Sequence, residues 1–269
     1  MNTSFDIHDL NSAVLEAAEI IKEMRNDFTV DSKNAVVDLV TCADLKSEDI
    51  LIKAITKYFP DDGIISEESD EVVSTNGRSW LIDPLDGTVN YANNIPQVAI
   101  TLTLLLDKVP IQTYVYDIFQ EDLYEGYANE GGFKNSERLQ VTKNTSLQKA
   151  IIATGFPYDR LEFGEQYIQT LLSILKTTGG VRRFGSAALD VCWVADNKFD
   201  GYYEYFIKPW DTLGASLILQ EAGGIVIDEH QIFPTVSSNL IIASNKIIHN
   251  DFKRLVLENI NPELLKRLK

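Results

Sequence analysis

Around residue 80 the chain reads Trp80-Leu81-Ile82-Asp83-Pro84-Leu85-Asp86-Gly87-Thr88-Val89-Asn90, an apolar run that ends in two carboxylates, a glycine and a hydroxyl. Leu81 and Ile82 have the character of a buried strand. Pro84, with no N–H for a ladder, is expected to stop the pairing where the first carboxylate appears. Asp83 and Asp86 then sit close together at a strand end. Two carboxylates held close repel, which raises one pKa, unless a cation lies between them. Their hard oxygens suit Mg²⁺ or Mn²⁺. Gly87 lets the backbone approach a ligand, and the N–H groups that follow, if they open a helix, form an anion site beside the metals. A metal next to a phosphate-sized anion site suits phosphate ester hydrolysis.

Asp, Pro and Gly are also the commonest turn residues, so this segment alone is compatible with a surface turn. Two other places argue against that. Gly63-Ile64-Ile65-Ser66-Glu67-Glu68 is again a short apolar strand ending in acids, and Lys208-Pro209-Trp210-Asp211 sets an acid just before the helical pattern Thr212 to Gly224. Three acidic strand or loop ends are hard to explain as turns.

These residues resemble the inositol monophosphatase family of Mg²⁺-dependent, lithium-sensitive phosphatases. The family's signatures are an acidic pair after a strand, Asp-Pro-(Ile/Leu)-Asp-Gly-Thr, and a later Trp-Asp followed by a helix ending in Ala-Gly-Gly. Here they stand as Glu67-Glu68, Asp83 to Thr88, and Trp210-Asp211 to Gly224, in that order, with further matches at Val37 to Asp44, Gly185 to Ala188 and Tyr202-Tyr203-Glu204. The resemblance implies one Mg²⁺ on Glu67, Asp83 and the Leu85 carbonyl. A second would lie on Asp83, Asp86 and Asp211, and a weaker third would share Glu67, with Mn²⁺ able to substitute. One such ion would lower the pKa of a water and the other would stabilise the leaving alkoxide. Asp44 and Thr88, hydrogen-bonded to each other, look like the pair that orients that water, Glu67 being the third catalytic residue. A cap is the plainer role for each, Thr88 for its own helix and Asp44 for a helix from Leu45 to Tyr58.

Substrate contacts implied by the same resemblance are Gly87, Thr88, Gly185, Ser186, Ala187, Glu204, Asp211 and Lys33. Glu204 would accept hydrogen bonds from a substrate ring, or else be a solvated strand residue, and Lys33 is expected in a loop. Lys208 stands where some animal members have histidine. The implied activity is a phosphomonoesterase on inositol 1-phosphate and related polyol phosphates. The alternative is the same chemistry on the 2′-phosphate of NADP, fructose 1,6-bisphosphate or 3′-phosphoadenosine 5′-phosphate. A non-catalytic regulatory binding protein is the reading from another class. A homodimer is the expected assembly.

Composition fits an enzyme of this kind. With 269 residues, 45% of them hydrophobic, the chain can bury a large core. A net charge of -16 argues against nucleic-acid binding. It also demands that a phosphate site be metal-loaded, so that the local sign reverses. Cys42 and Cys192, each among apolar or small neighbours, are expected as buried free thiols in a reducing compartment. No apolar run reaches the ~20 residues of a membrane span and the N-terminus lacks a signal pattern, which together read as cytoplasmic. His8, His230 and His249 are expected at the surface. Arg182 and Arg183 are open between an anionic substrate and a salt bridge, and the Tyr202 to Phe206 cluster between core and dimer surface.

The elements that must position the acids follow from periodicity. Two helices, around Val14 to Ile21 and Leu45 to Tyr58, precede the first acidic strand. Ala99 to Leu106, Ile111 to Tyr116 and Leu123 to Tyr127 form an antiparallel meander. A second half then alternates strands (Ala150 to Thr154, Val181, Gly201 to Tyr205, Ile225 to Ile227, Leu240 to Ala243) with helices (Phe163 to Lys176, Ser186 to Ala195, Thr212 to Ala222, and from Lys246 onward). This is a mixed α/β chain, and the resemblance implies a five-layer α-β-α-β-α sandwich. Residues 1–145 would be an α+β half carrying most metal ligands. Residues 146–269 would be an α/β half carrying Asp211 and the substrate contacts, the two packed as one unit with the site between them.

Overall fold

The computed structural model describes residues 7–26, 33–156, 160–260 and 267, and the side chains of residues 26, 33–41, 160–163 and 166 lie outside that description. A 3₁₀ turn at Ile7–Leu10 leads into α1 (Asn11–Asn26) and α2 (Lys33–Tyr58). Then come β1 (Gly63–Ser66), β2 (Arg78–Asp86), the short α3 (Thr88–Ala92), β3 (Ala99–Leu106), β4 (Val109–Asp117), β5 (Asp122–Tyr127), β6 (Gly131–Lys134) and β7 (Glu137–Arg138). The remainder is β8 (Ile151–Thr154), α4 (Arg160–Thr177), β9 (Gly180–Arg182), α5 (Ala187–Ala195), β10 (Gly201–Tyr205), α6 (Pro209–Glu221), β11 (Ile225–Ile227), β12 (Leu240–Ser244) and α7 (His249–Glu258).

β1 to β7 form one sheet in sequence order, antiparallel except for the parallel β1–β2 pair. The second sheet runs β11-β12-β10-β8-β9, with β10, β8 and β9 parallel. Strand alternation explains the layers. Trp80, Ile82, Ile100 and Leu102 point to one face of the first sheet, where Val14 and Ile21 of α1 and Leu51 and Ile55 of α2 cover them. Ala99 and Val115 point to the other face and meet α5 and α6, which also cover Ala153, Tyr202 and Ile241 of the second sheet. The far face of that sheet, with Ile152, Tyr203 and Ile242, is closed by Tyr167 and Ile174 of α4 and Phe252 and Val256 of α7. The molecule is thus the five-layer mixed α/β sandwich.

Four readings of the sequence need correction. α2 starts at Lys33, not near Leu45. Val36, Val37, Val40 and Thr41 are β-branched and weaken the local helical signal, yet the segment continues the better helix after it. Asp44 therefore lies within a helix and caps nothing. Cys42 is exposed, because it shares the outward side of α2 with Leu45, Lys46 and Asp49 while Ala43, Asp44 and Ser47 turn inward; Cys192 is buried as expected. His249 is buried and pairs through Nδ1 with Ser244 (2.9 Å), because the first turn of α7 packs on β12. His8 and His230 are exposed. Among the described residues, no helix is long and apolar enough to cross a membrane.

Candidate active site

β2 does not stop at Pro84. It continues to Asp86 through an irregularity in its pairing with β3: Asp83 faces Thr101 and Asp86 faces Ala99, so three steps on one strand match two on the other. Pro84, which has no N–H to give, sits within this bulge. The extra residue has a consequence for direction. In a regular strand, residues three apart point to opposite faces, and the bulge lets Asp83 and Asp86 open into the same cleft. The Pro84 carbonyl accepts from Ser47 Oγ of α2 (2.9 Å), and Asp83 Oδ1 accepts from the Leu85 N–H (3.0 Å), which fixes the turn.

The acid from the second half arrives on α6. Gly214 is what lets α6 lie so close to the first sheet: a Cβ there would fall 2.2 Å from Thr103 Oγ1 and 2.4 Å from Thr113 Oγ1. At the start of α6, Thr101 ties the two acidic segments together. Its hydroxyl accepts from the Asp83 N–H (3.3 Å) and donates to the Trp210 carbonyl (2.9 Å). Asp211 is further held by the Lys208 N–H on its Oδ2 (3.3 Å). Glu67, Asp83 and Asp211 thereby each offer an oxygen, all within 4.8 Å of one another. Burial, then the charges of Asp86, Asp211, Glu67 and Asp44, push the Asp83 carboxyl well above the usual range. Burial and the charges of Asp86, Glu67 and Glu204 do the same to Asp211. Glu67 is an exposed residue whose carboxyl turns toward Asp83; burial of that carboxyl and Glu68 beside it raise its pKa to about 7. Such oxygen-only, mutually repelling donors fit a divalent cation, which would remove the repulsion.

Asp86 lines the cleft beside this triad, but its oxygens are engaged by the N-terminus of α5. Ser186 Oγ (2.5 Å) and the Ala188 N–H (2.9 Å) donate to Oδ2, and the Ala187 N–H (3.3 Å) donates to Oδ1. A helix N-terminus favours an anion, and these bonds limit the effect of burial to a pKa of about 6. Ser186 was expected against substrate; its hydroxyl, fully buried, holds Asp86 and accepts from the Leu189 N–H instead. Gly185 and Ala187 do line the cleft.

Gly87 is left-handed (φ 95°), and a Cβ there would meet the Gln97 carbonyl at 2.6 Å, so glycine is required. It is the N-cap of α3, which removes the cap role from Thr88. The expected Thr88–Asp44 hydrogen bond is not made: the Thr88 hydroxyl donates to the Leu85 carbonyl (3.4 Å), and Asp44 Oδ1 has no partner. Asp44 is buried; burial and the charges of Glu68, Glu67 and Glu48 raise its pKa to about 8. Lys33 is the first residue of α2, not a loop residue, and its side chain lies outside the described residues.

The far wall comes from the second sheet. Glu204 is buried, lines the cleft and accepts from the Tyr202 hydroxyl, which removes the solvated-strand reading. Burial raises its pKa to about 7, opposed by Tyr202 and Arg183. Gly155 leaves its carboxylate room, since a Cβ there would come within 2.1 Å of it. Arg183 also lines the cleft, its guanidinium 5.7 Å above the Phe156 ring. Phe156, Ile207 and Asp190 were not anticipated in the lining. Asp190 had a signal: it is the one charged residue in the otherwise apolar α5, Ala187 to Ala195.

Residues 2–263 match the family described as the inositol monophosphatase family. The chain is 36% identical over 245 residues to an inositol-1-monophosphatase of Synechocystis sp., covering 90% of this chain and 85% of that one. It is 38% identical over 220 residues to a putative Nus factor SuhB of Neisseria meningitidis, covering 80% and 82%. The solved structure of the inositol monophosphatase from Anabaena (Nostoc) superposes with a TM-score of 0.85 at 33% identity, covering 95% of this chain and 96% of the other. Fold and site thus define a phosphoric monoester hydrolase of a metal-dependent class. The chain belongs to the inositol monophosphatase family and acts on small phosphorylated substrates.

Proposed function

We propose that this enzyme hydrolyses inositol 1-phosphate and related polyol phosphates with Mg²⁺. The observation that carries the reading is the placement of Glu67, Asp83 and Asp211, oxygens within 4.8 Å, in one cleft with the buried Glu204. Glu67, Asp83 and the Leu85 carbonyl would hold one ion and Asp83, Asp86 and Asp211 a second, a third sharing Glu67, with Mn²⁺ able to replace them. Bound there, the ions supply an activated water and charge stabilisation for the leaving oxygen. The protein's own part is positional. Asp83 and Asp211 are kept in register by Thr101, and Asp86 is aimed by the start of α5. Asp44, whose Oδ1 has no partner within the protein, and Thr88 would guide the water. Glu204 would take a ring hydroxyl, and the Gly185 and Ala187 backbone and Lys33 would complete the binding of substrate.

A cytoplasmic homodimer completes this reading; exposed Val89 and Phe184 beside the cleft support the dimer, which sedimentation would check. The likeness to a protein named as a Nus factor favours one second reading, a partner in a transcription complex. The test is phosphate release from a panel of inositol 1-phosphate, fructose 1,6-bisphosphate, NADP and 3′-phosphoadenosine 5′-phosphate, with Mg²⁺ or EDTA. Inositol 1-phosphate should lead with Mg²⁺, and LiCl should inhibit more than KCl. Absence of release from every ester would leave the second reading.

A further inference from the structure

α5 puts an unexplained carboxylate into the cleft. Asp190 lies three residues after Ala187, on the same side of the helix, and both line the cavity. The residue is only 1% exposed. Yet Oδ1 has no partner at all. Among the described residues, several buried side-chain oxygens and nitrogens are similarly unpaired, but Asp190 alone of them borders the cleft. Buried polar atoms are almost always satisfied, so an unpaired carboxylate bordering a cavity marks a place where something else supplies the donor.

Among the described residues, no neighbouring group supplies it. Glu204 and Asp86, whose charges reach Asp190, are acceptors when ionised. Arg183, the one cation in the lining among the described residues, lies over Phe156 at the cleft wall. A ligand can bring the missing donor. A hydroxyl fits both neighbours, since it can donate to a carboxylate and accept from a guanidinium.

Resting on the polyol phosphate reading above, we propose that Asp190 is a specificity-determining residue whose carboxylate accepts a hydrogen bond from a second ring hydroxyl, distinct from the one taken by Glu204. The preferred substrate then carries two free hydroxyls on the side of the ring facing α5 and β10. A phosphate ester with one such hydroxyl, or none, leaves the buried carboxylate unpaired and is turned over poorly for that reason.

The experiment compares kcat/KM of wild type, Asp190→Asn and Glu204→Gln in saturating Mg²⁺. The substrates are inositol 1-phosphate, its mono-deoxy analogues and p-nitrophenyl phosphate. Asparagine keeps the shape but replaces one carboxylate oxygen with an NH₂ donor. For D190N the ratio of kcat/KM on inositol 1-phosphate to that on p-nitrophenyl phosphate should fall about tenfold to a hundredfold, the effect of one hydrogen bond to a charged group. One deoxy analogue should be handled by D190N and wild type alike, within about threefold, and it should differ from the analogue insensitive to E204Q. Equal losses on every substrate would overturn the proposal and make Asp190 a structural support for the start of α5. If D190N does not fold, Asp190→Ser, too short to reach the ring, is read by the same ratio. A wild type inactive on all these esters would overturn the polyol phosphatase reading itself, whereas an active wild type with an unchanged D190N ratio would overturn only the role of Asp190.

Discussion

Replacing Asp83 by Asn should make the metal-stripped protein more stable while abolishing its activity. In EDTA, Asp83 is buried with Glu67 and Asp211 oxygens no more than 4.8 Å away. At an effective dielectric of about 20, each such pair repels by about 3.5 kcal/mol, or about 7 kcal/mol for the two. Taking up a proton at pH 7 by a group of ordinary pKa 3.8 costs only about 4 kcal/mol, so the folded apo-protein protonates instead of bearing the repulsion. The penalty is absent below pH 3.8 and grows by about 1.4 kcal/mol per pH unit above it, until the raised folded pKa is reached. Asparagine removes the ionisation and can still accept the Leu85 N–H. Urea unfolding in EDTA should therefore show D83N about 2 to 4 kcal/mol more stable at pH 7, and less than about 2 kcal/mol more stable at pH 5. With Mg²⁺ the order should reverse, because only the wild type gains binding energy. An apo D83N no more stable than wild type, or a wild type whose midpoint ignores Mg²⁺, would refute the argument that these acids form one repelling cluster.

Three further outcomes are expected. Glu204→Gln should lower kcat/KM on inositol 1-phosphate by about 1 to 3 kcal/mol, or about tenfold to a hundredfold, with a much smaller loss on p-nitrophenyl phosphate. Thr101→Val, which keeps the shape but removes the hydroxyl joining Asp83 to Trp210, should cost about 1 to 3 kcal/mol in urea unfolding and weaken Mg²⁺ binding by calorimetry; unchanged affinity would deny it a positioning role. His249, held down to a pKa of about 4 by burial and Lys253, stabilises fully above pH 6.5, and this contribution is lost as pH falls toward 4. By pH 5 it should have lost about 2 kcal/mol, so a His249→Gln variant should show a flatter acid limb by that amount in denaturation curves at pH 7.5 and 5.

The acids were legible because each is announced locally: an apolar strand that runs into Glu67 or Asp83, a helix that opens after Asp211. Local pattern could not show the bulge at Pro84, since register belongs to the partner strand as much as to β2. For the same reason the sequence pointed to Ser186 as a ligand contact and left Asp190 unnoticed, although both sit in the first turn of one helix. Which of them faces the cleft is decided by Asp86 taking up the Ser186 hydroxyl, a contact across a hundred residues. The start of α2 was obscured by β-branched residues whose preference yields to the helix that follows them, and the inward face of α2, not its composition, decides that Cys42 is outside.

The close seat of Gly214 on Thr103 and Thr113 also governs when the enzyme becomes an enzyme. As the chain leaves the ribosome, Glu67, Asp83 and Asp86 emerge long before α6 exists, and until it docks the floor of the first sheet is an open furrow. The same helix that fills this furrow delivers Asp211, so covering the core and completing the acid set are one event. A chain stalled or clipped before α6 has no working fragment to release: it exposes sticky sheet surface and has an unfinished site at once. A methyl group added at position 214 would have to displace the Thr103 and Thr113 hydroxyls before the helix could seat.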